Sequence, residues 1–164
     1  MSKKTREIAD LFATTSLGAP ENAIGFVLWR LVHRYQRELD RALAHLDVTH
    51  LQFTILTLAA WLGRSGEPVS QADLARFGDV HPMQVSHMLK TLEDKGMVDR
   101  PRSESDVRAK QISVTSGGLA TLRRALPIAI DVQRRVFGVE GRPGGSLLNA
   151  LIRLDNGHSN ASEN

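Results

Sequence analysis

The sequence predicts a mainly α-helical fold with a small β-wing. Two observations carry this prediction. Apolar residues recur at helical spacing along most of the 164-residue chain, whereas two short runs between 97 and 114 alternate apolar and polar residues as a strand does. Glycine and proline separate these segments where a helix begins or ends, so the boundaries agree with the periodicity.

Two helices are predicted in the first part of the chain. Residues 23–46 form a long amphipathic helix, and a second helix follows at 49–62. Thr49 is placed to cap this second helix, and Gln52, three residues later, completes a capping box. The polar connection at 63–67 is too short to separate two domains, so we expect residues 1–164 to form a single domain.

Two short helices joined by a tight turn are predicted at the centre of the chain. The first covers 70–77, and the second covers 82–95, with Pro82 in its first turn and Gly96 after its end. The second helix has one apolar face, so its other side exposes polar groups that can pair with base edges in a major groove. This arrangement is that of a helix-turn-helix. The candidate DNA-binding residues here are Ser70, Met83, Gln84, Ser86, His87 and Lys90.

A β-hairpin is predicted directly after these helices, with strands at 97–100 and 110–114. Arginine suits phosphate groups and narrow minor grooves, and a carboxylate two residues before Arg108 can orient its guanidinium. An isolated hairpin of this kind is more often an ordinary solvated loop, but the helix-turn-helix upstream favours DNA binding. The candidate residues of this wing are Arg100, Arg102, Asp106, Arg108 and Lys110.

Apolar helices flank the central part on both sides. Helices are predicted at 116–137 and 147–154, and together with the helix at 23–46 they favour a two-fold homodimer. Packing within one monomer is the alternative. The predicted organisation is an N-terminal arm and dimerisation helix (1–46), a winged helix-turn-helix part (47–115), C-terminal dimerisation helices (116–155) and a disordered tail (156–164).

The chain resembles a known family, the MarR-type transcriptional regulators, over residues 23–154. The wing pattern follows the family's order and spacing through Leu92-Glu93, Gly96-Met97-Val98, Arg100, Asp106, Arg108, Ile112, Val114-Thr115 and Gly118. A second match lies at Val48-Thr49, Gln52-Phe53 and Leu56. The resemblance implies a dimeric DNA-binding repressor or activator, often relieved by small molecules bound between its dimerisation and DNA-binding parts. It also implies that Arg108 enters the minor groove and that Asp106 helps to hold the wing.

Composition argues against several other classes of protein. The chain has no cysteine, which excludes disulfides, thiolate zinc sites and sensing of peroxide by a reactive thiol. Its six histidines show no metal-ligand spacing with carboxylates, and no catalytic motif occurs, so we expect no metal site, no cofactor and no enzymatic activity. The net charge of +3 favours a polyanionic partner. The absence of a long apolar run predicts a cytoplasmic protein without membrane contact.

Four ring-bearing side chains are candidates for an effector pocket. Trp29 and His33 lie one turn apart on the first long helix, and Phe53 and Trp61 lie on the next. Such residues can hold a small aromatic or phenolic effector, although they lie more often at the edge of a core. Both interpretations stay open at this point.

The sequence therefore predicts a transcription regulator that binds a pseudo-palindromic site on double-stranded DNA as a homodimer. A repressor is favoured over an activator. The alternative is a winged-helix module that contacts other proteins and has no sequence-specific DNA function.

Overall fold

The computed structural model describes residues 2–100 and 111–159, which form seven α-helices and three short strands. Short 3-10 turns connect several of them. This confirms the mainly α-helical class with a small β-wing. The elements are α1 (Lys3–Thr15), α2 (Ile24–Leu43), α3 (His50–Leu62), β1 (Val69–Ser70), α4 (Gln71–Gly78), α5 (Pro82–Asp94), β2 (Val98–Asp99), β3 (Gln111–Val114), α6 (Ser116–Phe137) and α7 (Ser146–Ser159).

The chain divides into two compact units, Met1–Glu38 and Leu39–Asn164. The first unit contains α1, which the sequence analysis treated only as an arm. The Ser2 hydroxyl caps α1 by accepting a hydrogen bond from the Thr5 N–H at 3.2 Å. No residue of α1 is buried within the described chain, and its larger apolar side chains are exposed. The sequence analysis assigned no helix here, although Ile8, Leu11 and Phe12 recur at helical spacing.

The core of the second unit lies around α3, which packs against α4, α5, α6 and β3. The predicted capping box of Thr49 and Gln52 is present at the start of α3. Apolar side chains from several helices and from β2 meet in this core. Those that are fully buried include Leu43, Ile55, Leu56, Leu74, Val85, Leu89, Leu92, Val98 and Val132.

The three strands form one antiparallel sheet in the order β1-β3-β2. β3 pairs with β1 through Val69 and Ile112, and with β2 through Val98 and Val114. The sequence predicts β2 and β3 but not β1, because two residues are too few to show a strand period. The sheet therefore ties the segment before α4 to the segments on both sides of the wing.

α6 begins against the backbone at the base of the wing. The Thr115 hydroxyl donates to the Gly96 carbonyl at 2.6 Å, and the Thr115 N–H donates to the Met97 carbonyl at 3.1 Å. A Cβ atom on Gly118 would overlap the Met97 carbonyl oxygen, so only glycine permits this approach. The base of the wing is thereby fixed to the first turn of α6.

The C-terminal helix is longer than predicted. α7 runs to Ser159, so residues 156–159, which were expected to belong to a disordered tail, are helical. Backbone hydrogen bonds can continue a helix past its last apolar residue, and a prediction from apolar spacing does not register this. Residues 160–164 lie outside the described chain. Within the described ranges, no helix has both the length and the apolar character to cross a membrane.

Candidate DNA-binding surface

The start of α5 is fixed by contacts from the residues before it. His81 is the N-cap, and its Nδ1 accepts a hydrogen bond from the Met83 N–H at 3.2 Å. Gln71, in the first turn of α4, donates from Nε2 to the Pro82 carbonyl at 3.1 Å. Asp79, between the two helices, has a left-handed backbone with φ of 48°. These contacts define the angle at which α5 leaves α4.

One face of α5 is buried and the opposite face is exposed. Val85, Leu89 and Leu92 have no exposed surface. The outward stripe, which we define by spacing and exposure, consists of Met83, His87, Lys90 and Asp94.

The structure places most of the predicted base-contacting residues on or beside the outward stripe. Gln84 is exposed next to Met83, whereas Ser86 is only half-exposed at the edge of the helix. An amide, an imidazole and an ammonium on one exposed helix face can donate to base acceptors or phosphates, and Gln84 can also accept. Met83 adds an apolar group and is 75% exposed. The exposed side of α5 can therefore make both hydrogen bonds and apolar contacts with base edges in a major groove.

Ser70, also a DNA-binding candidate, uses its hydroxyl within the protein. Its Oγ lies 2.6 Å from Asp73 Oδ2 and accepts from the Asp73 N–H at 3.2 Å, which completes a capping box at the start of α4. Hydrogen bonds from the Ser70 hydroxyl and backbone N–H lower the pKa of the Asp73 carboxyl, and Arg76 at 2.9 Å adds to this effect. In this structure Ser70 therefore orients α4.

Arg100, predicted to bind phosphate, forms an ion pair with Glu93 of α5. The Arg100 Nε donates to Glu93 Oε2 at 2.9 Å, and Nη2 contacts the same oxygen. The arginine side chain is only 12% exposed. This ion pair connects the residue that follows β2 to α5. The other wing candidates, Arg102, Asp106, Arg108 and Lys110, lie outside the described residues.

A second cluster at the end of α5 was missed by the sequence analysis. Lys95 contacts Asp47 and Gln52, which lie 48 and 43 residues away along the chain. Gln52 is buried, although it is polar. No local pattern could have found this cluster, because its members share neither a helix nor a strand.

The effector candidates lie in different surroundings. In the first unit, Trp29 is 57% exposed, and its ring centroid lies 4.3 Å from that of His33. In the second unit, Phe53 is a buried core residue, whereas Trp61 is exposed and lies 3.7 Å beneath the guanidinium of Arg64. Of the four, Phe53 is a poor candidate for ligand contact, because the core already covers its ring.

Titratable groups elsewhere in the described chain form no evident catalytic or metal centre. Among residues 2–100 and 111–156, no group of three or more histidine, aspartate or glutamate side chains is arranged to hold a metal ion. Burial lowers the pKa of His50, and the nearby Asp40 carboxylate partly opposes that shift. The Asp40 carboxylate accepts a hydrogen bond from the His50 backbone N–H at 2.5 Å, which is a structural contact at the start of α3.

Comparison with known proteins gives consistent matches. Residues 48–110 match the model of the MarR family. The chain is 35% identical over 123 residues to the uncharacterized HTH-type transcriptional regulator YdcH of Bacillus subtilis, an alignment that covers 75% of this chain and 84% of YdcH. It is 30% identical over 119 residues to the HTH-type transcriptional repressor Rv2887 of Mycobacterium tuberculosis, which covers 73% of this chain and 83% of Rv2887.

Solved structures of two proteins share the fold. CouR from Rhodococcus jostii RHA1, bound to p-coumaroyl-CoA, matches with a TM-score of 0.69 at 26% identity, over 83% of this chain and 91% of CouR. Rv2887 in complex with DNA matches with a TM-score of 0.56 at 28% identity, over 70% and 82% of the two chains. Rv2887 in complex with p-aminosalicylic acid gives a TM-score of 0.58 at 28% identity, over 84% and 98%.

Proposed function

The chain belongs to the MarR family of transcription regulators, and from this premise we propose that it is a homodimeric repressor whose two α5 helices read one pseudo-palindromic duplex. The observation that carries the proposal is the outward stripe of α5, which is exposed along the helix while the opposite face is fully buried. Two such helices would enter successive major grooves about 34–36 Å apart.

Each residue of the surface has a proposed role. Gln84 and His87 would pair with base edges, Met83 would contact an apolar base group, and Lys90 would reach guanine or a phosphate. Ser86, at the edge of the helix, would contact the adjacent backbone. Ser70 and Arg100 would act indirectly, because their polar groups already hold α4 and the entry to the wing.

The wing completes the proposed interface. Arg108 would enter the minor groove with Asp106 orienting it, while Arg102 and Lys110 would bind phosphates. The family membership supports these assignments, since the wing pattern includes both Asp106 and Arg108.

A second copy of the chain is the proposed partner of the terminal helices. Exposed apolar side chains occur on three of the long helices, and water-exposed surface of this kind favours association. They include Ile24, Val27 and Val32 on α2, Leu126 and Ile130 on α6, and Leu151, Ile152 and Leu154 on α7. We assign residues 1–46 and 116–155 to dimerisation and residues 47–115 to DNA binding, all within one domain.

A small aromatic or phenolic molecule is the proposed effector, and its binding would relieve repression. Two relatives support this class, since CouR has been solved with p-coumaroyl-CoA and Rv2887 with p-aminosalicylic acid. Trp29 and His33 are the candidate contacts in the first unit, and Trp61 is the candidate in the second. A regulator of this kind acts where the chromosome lies, so we place the protein in the cytoplasm.

Selection of preferred duplexes from a random pool tests the proposal. We expect a two-fold symmetric motif, and an affinity whose logarithm falls with the logarithm of salt concentration by about 0.9 for each neutralised phosphate. Replacing Arg108 with alanine should weaken binding to that motif while the dimer persists. A pool without a preferred motif, or binding that ignores both salt and the substitution, would favour the protein-contact alternative.

A further inference from the structure

Lys95 follows the last turn of α5, and three oxygen atoms surround its ammonium group. Nζ donates to the backbone carbonyl of Asp47 at 2.5 Å and lies 3.2 Å from Asp47 Oδ2. It also donates to Gln52 Oε1 at 3.3 Å. A lysine ammonium has three N–H donors, so these three acceptors match its full hydrogen-bonding capacity.

Both partners of Lys95 are held in place by local backbone structure. Gln52 Oε1 also accepts from the Thr49 N–H at 3.1 Å, as part of the capping box of α3. Asp47 ends the 3-10 turn between α2 and α3 and has a left-handed backbone with φ of 54°. The ammonium of Lys95 therefore joins the C-terminal end of α5 to the α2–α3 corner, which we define as residues 44–52.

Lys95 differs from Lys90, which lies five positions earlier in the chain. The Lys90 side chain belongs to the exposed outward stripe, whereas the Lys95 side chain is only 23% exposed. Moving the Lys95 ammonium to a DNA phosphate would break all three of these contacts, and the buried Gln52 Oε1 would keep only the hydrogen bond from the Thr49 N–H. These surroundings argue against Lys95 as a phosphate ligand.

From this geometry we propose that Lys95 is a positioning residue for DNA recognition, which fixes the end of α5 on the α2–α3 corner. The proposal rests on the proposed function, since it takes α5 as the helix that reads DNA. Base readout requires side chains within hydrogen-bonding distance of particular atoms, whereas phosphate contacts tolerate displacement. Loss of the anchor should therefore reduce specific binding and leave non-specific binding almost intact.

Replacement of Lys95 by methionine tests this role, because methionine removes the ammonium and retains an unbranched side chain. Lys90→Met is the matched control, since both variants lose one positive charge near the same helix. Affinity is measured across a salt series, well below the thermal midpoint, for the duplex selected by the wild type and for a scrambled duplex of equal length and composition. For Lys95→Met we expect at least a tenfold loss on the selected duplex, less than about a twofold loss on the scrambled one, and the wild-type salt slope. Lys90→Met should weaken both duplexes and reduce the slope by up to about 0.9.

A second variant keeps the test decisive if Lys95→Met is unstable. Asp47→Asn removes the carboxylate and retains the carbonyl, and asparagine tolerates the left-handed backbone. By itself, Asp47→Asn should cost about threefold in affinity for the selected duplex and leave affinity for the scrambled duplex unchanged, a result that does not need Lys95→Met. Where Lys95→Met folds, Asp47→Asn should cost nothing further in it, because residues that share one interaction are not additive.

Several results would overturn the proposal. An equal loss on both duplexes with a shallower salt slope would identify Lys95 as a phosphate ligand. A lower thermal midpoint with unchanged selectivity would reduce its role to stability alone, and an Asp47→Asn effect that persists without Lys95 would disprove the shared contact. A wild-type protein that prefers no duplex would remove the proposed function and this inference together, whereas a normal Lys95→Met variant removes only the inference.

Discussion

α5 and α6 both pack one face against α3, yet they expose different chemistry on the other side. The outward stripe of α5 carries a thioether, an imidazole and an ammonium, followed by the carboxylate of Asp94 in the last turn. α6 exposes a row of apolar side chains, Leu119, Leu126 and Ile130, at helical spacing, next to exposed arginines such as Arg123 and Arg134. Burial alone therefore does not distinguish the two helices, whereas the chemistry of their exposed sides does. We therefore propose the outward stripe of α5 as the surface for nucleic acid and the apolar row of α6 as a surface for a second copy of the chain.

The largest expected effect comes from placing charge on the apolar side of α6. The double variant Leu126→Glu and Ile130→Glu should weaken the dimer by at least about 100-fold, because an unpaired charge buried in an interface costs about 3–5 kcal/mol. Sedimentation equilibrium measures the dissociation constant. Ala120→Glu, an exposed position away from these residues, is the control and should leave it unchanged. A double variant that remains as dimeric as the wild type would show that α6 exposes this surface for another reason.

The buried side of α5 should affect stability. Leu89 has no exposed surface, so Leu89→Ala should lower the free energy of unfolding by about 2–5 kcal/mol through lost contacts and a cavity. Chemical denaturation measures the change. A loss below about 1 kcal/mol would mean that α5 is less firmly packed than its burial indicates.

The exposed side of α5 should affect binding without affecting stability. His87→Ala should reduce discrimination between the selected and scrambled duplexes by about 1–3 kcal/mol, since one base contact is lost. Its unfolding free energy should stay within about 0.5 kcal/mol of the wild type. Fluorescence anisotropy and denaturation of the same preparation provide both numbers. Equal discrimination in variant and wild type would remove His87 from the interface.

Met83 provides a finer test of the same surface. The thymine methyl is the apolar group that a major groove offers, and contact with it would contribute about 1 kcal/mol. Wild-type protein should therefore bind the selected duplex more tightly than one in which the contacted thymine is replaced by uracil. Met83→Ala should bind the two equally. If Met83→Ala still binds the thymine duplex more tightly than the uracil duplex, another residue contacts the methyl group.

The smallest expected effect concerns the cap that orients α4. Ser70→Ala should cost about 1 kcal/mol of unfolding free energy at neutral pH, through loss of the cap. The pKa of Asp73 is lowered in the folded state, so its contribution is present above its unfolded pKa and is lost as pH falls through the folded pKa. The difference between variant and wild type should therefore shrink below about pH 4. A difference that is independent of pH would separate the Ser70 cap from the Asp73 carboxylate.

Local sequence information predicted much of the candidate site. The capping box at Thr49 was predicted, as was the position of Pro82 in the first turn of α5. The division of α5 into a buried and an exposed face was also predicted correctly. These features depend on residues three or four positions apart, and that spacing is fixed once a helix forms.

The sequence by itself thus determined the family, the helices of the DNA-binding part and the residues that α5 exposes. Only the tertiary structure decided how the cations around α5 are used. Arg100 pairs with Glu93, and Lys95 bonds to Asp47 and Gln52, whereas sequence reasoning made Arg100 a DNA-binding candidate like Lys90 and assigned no role to Lys95. The physical reason is that a charged side chain takes its role from the acceptors around it, and packing of α3 against α5 brings acceptors from more than 40 residues away.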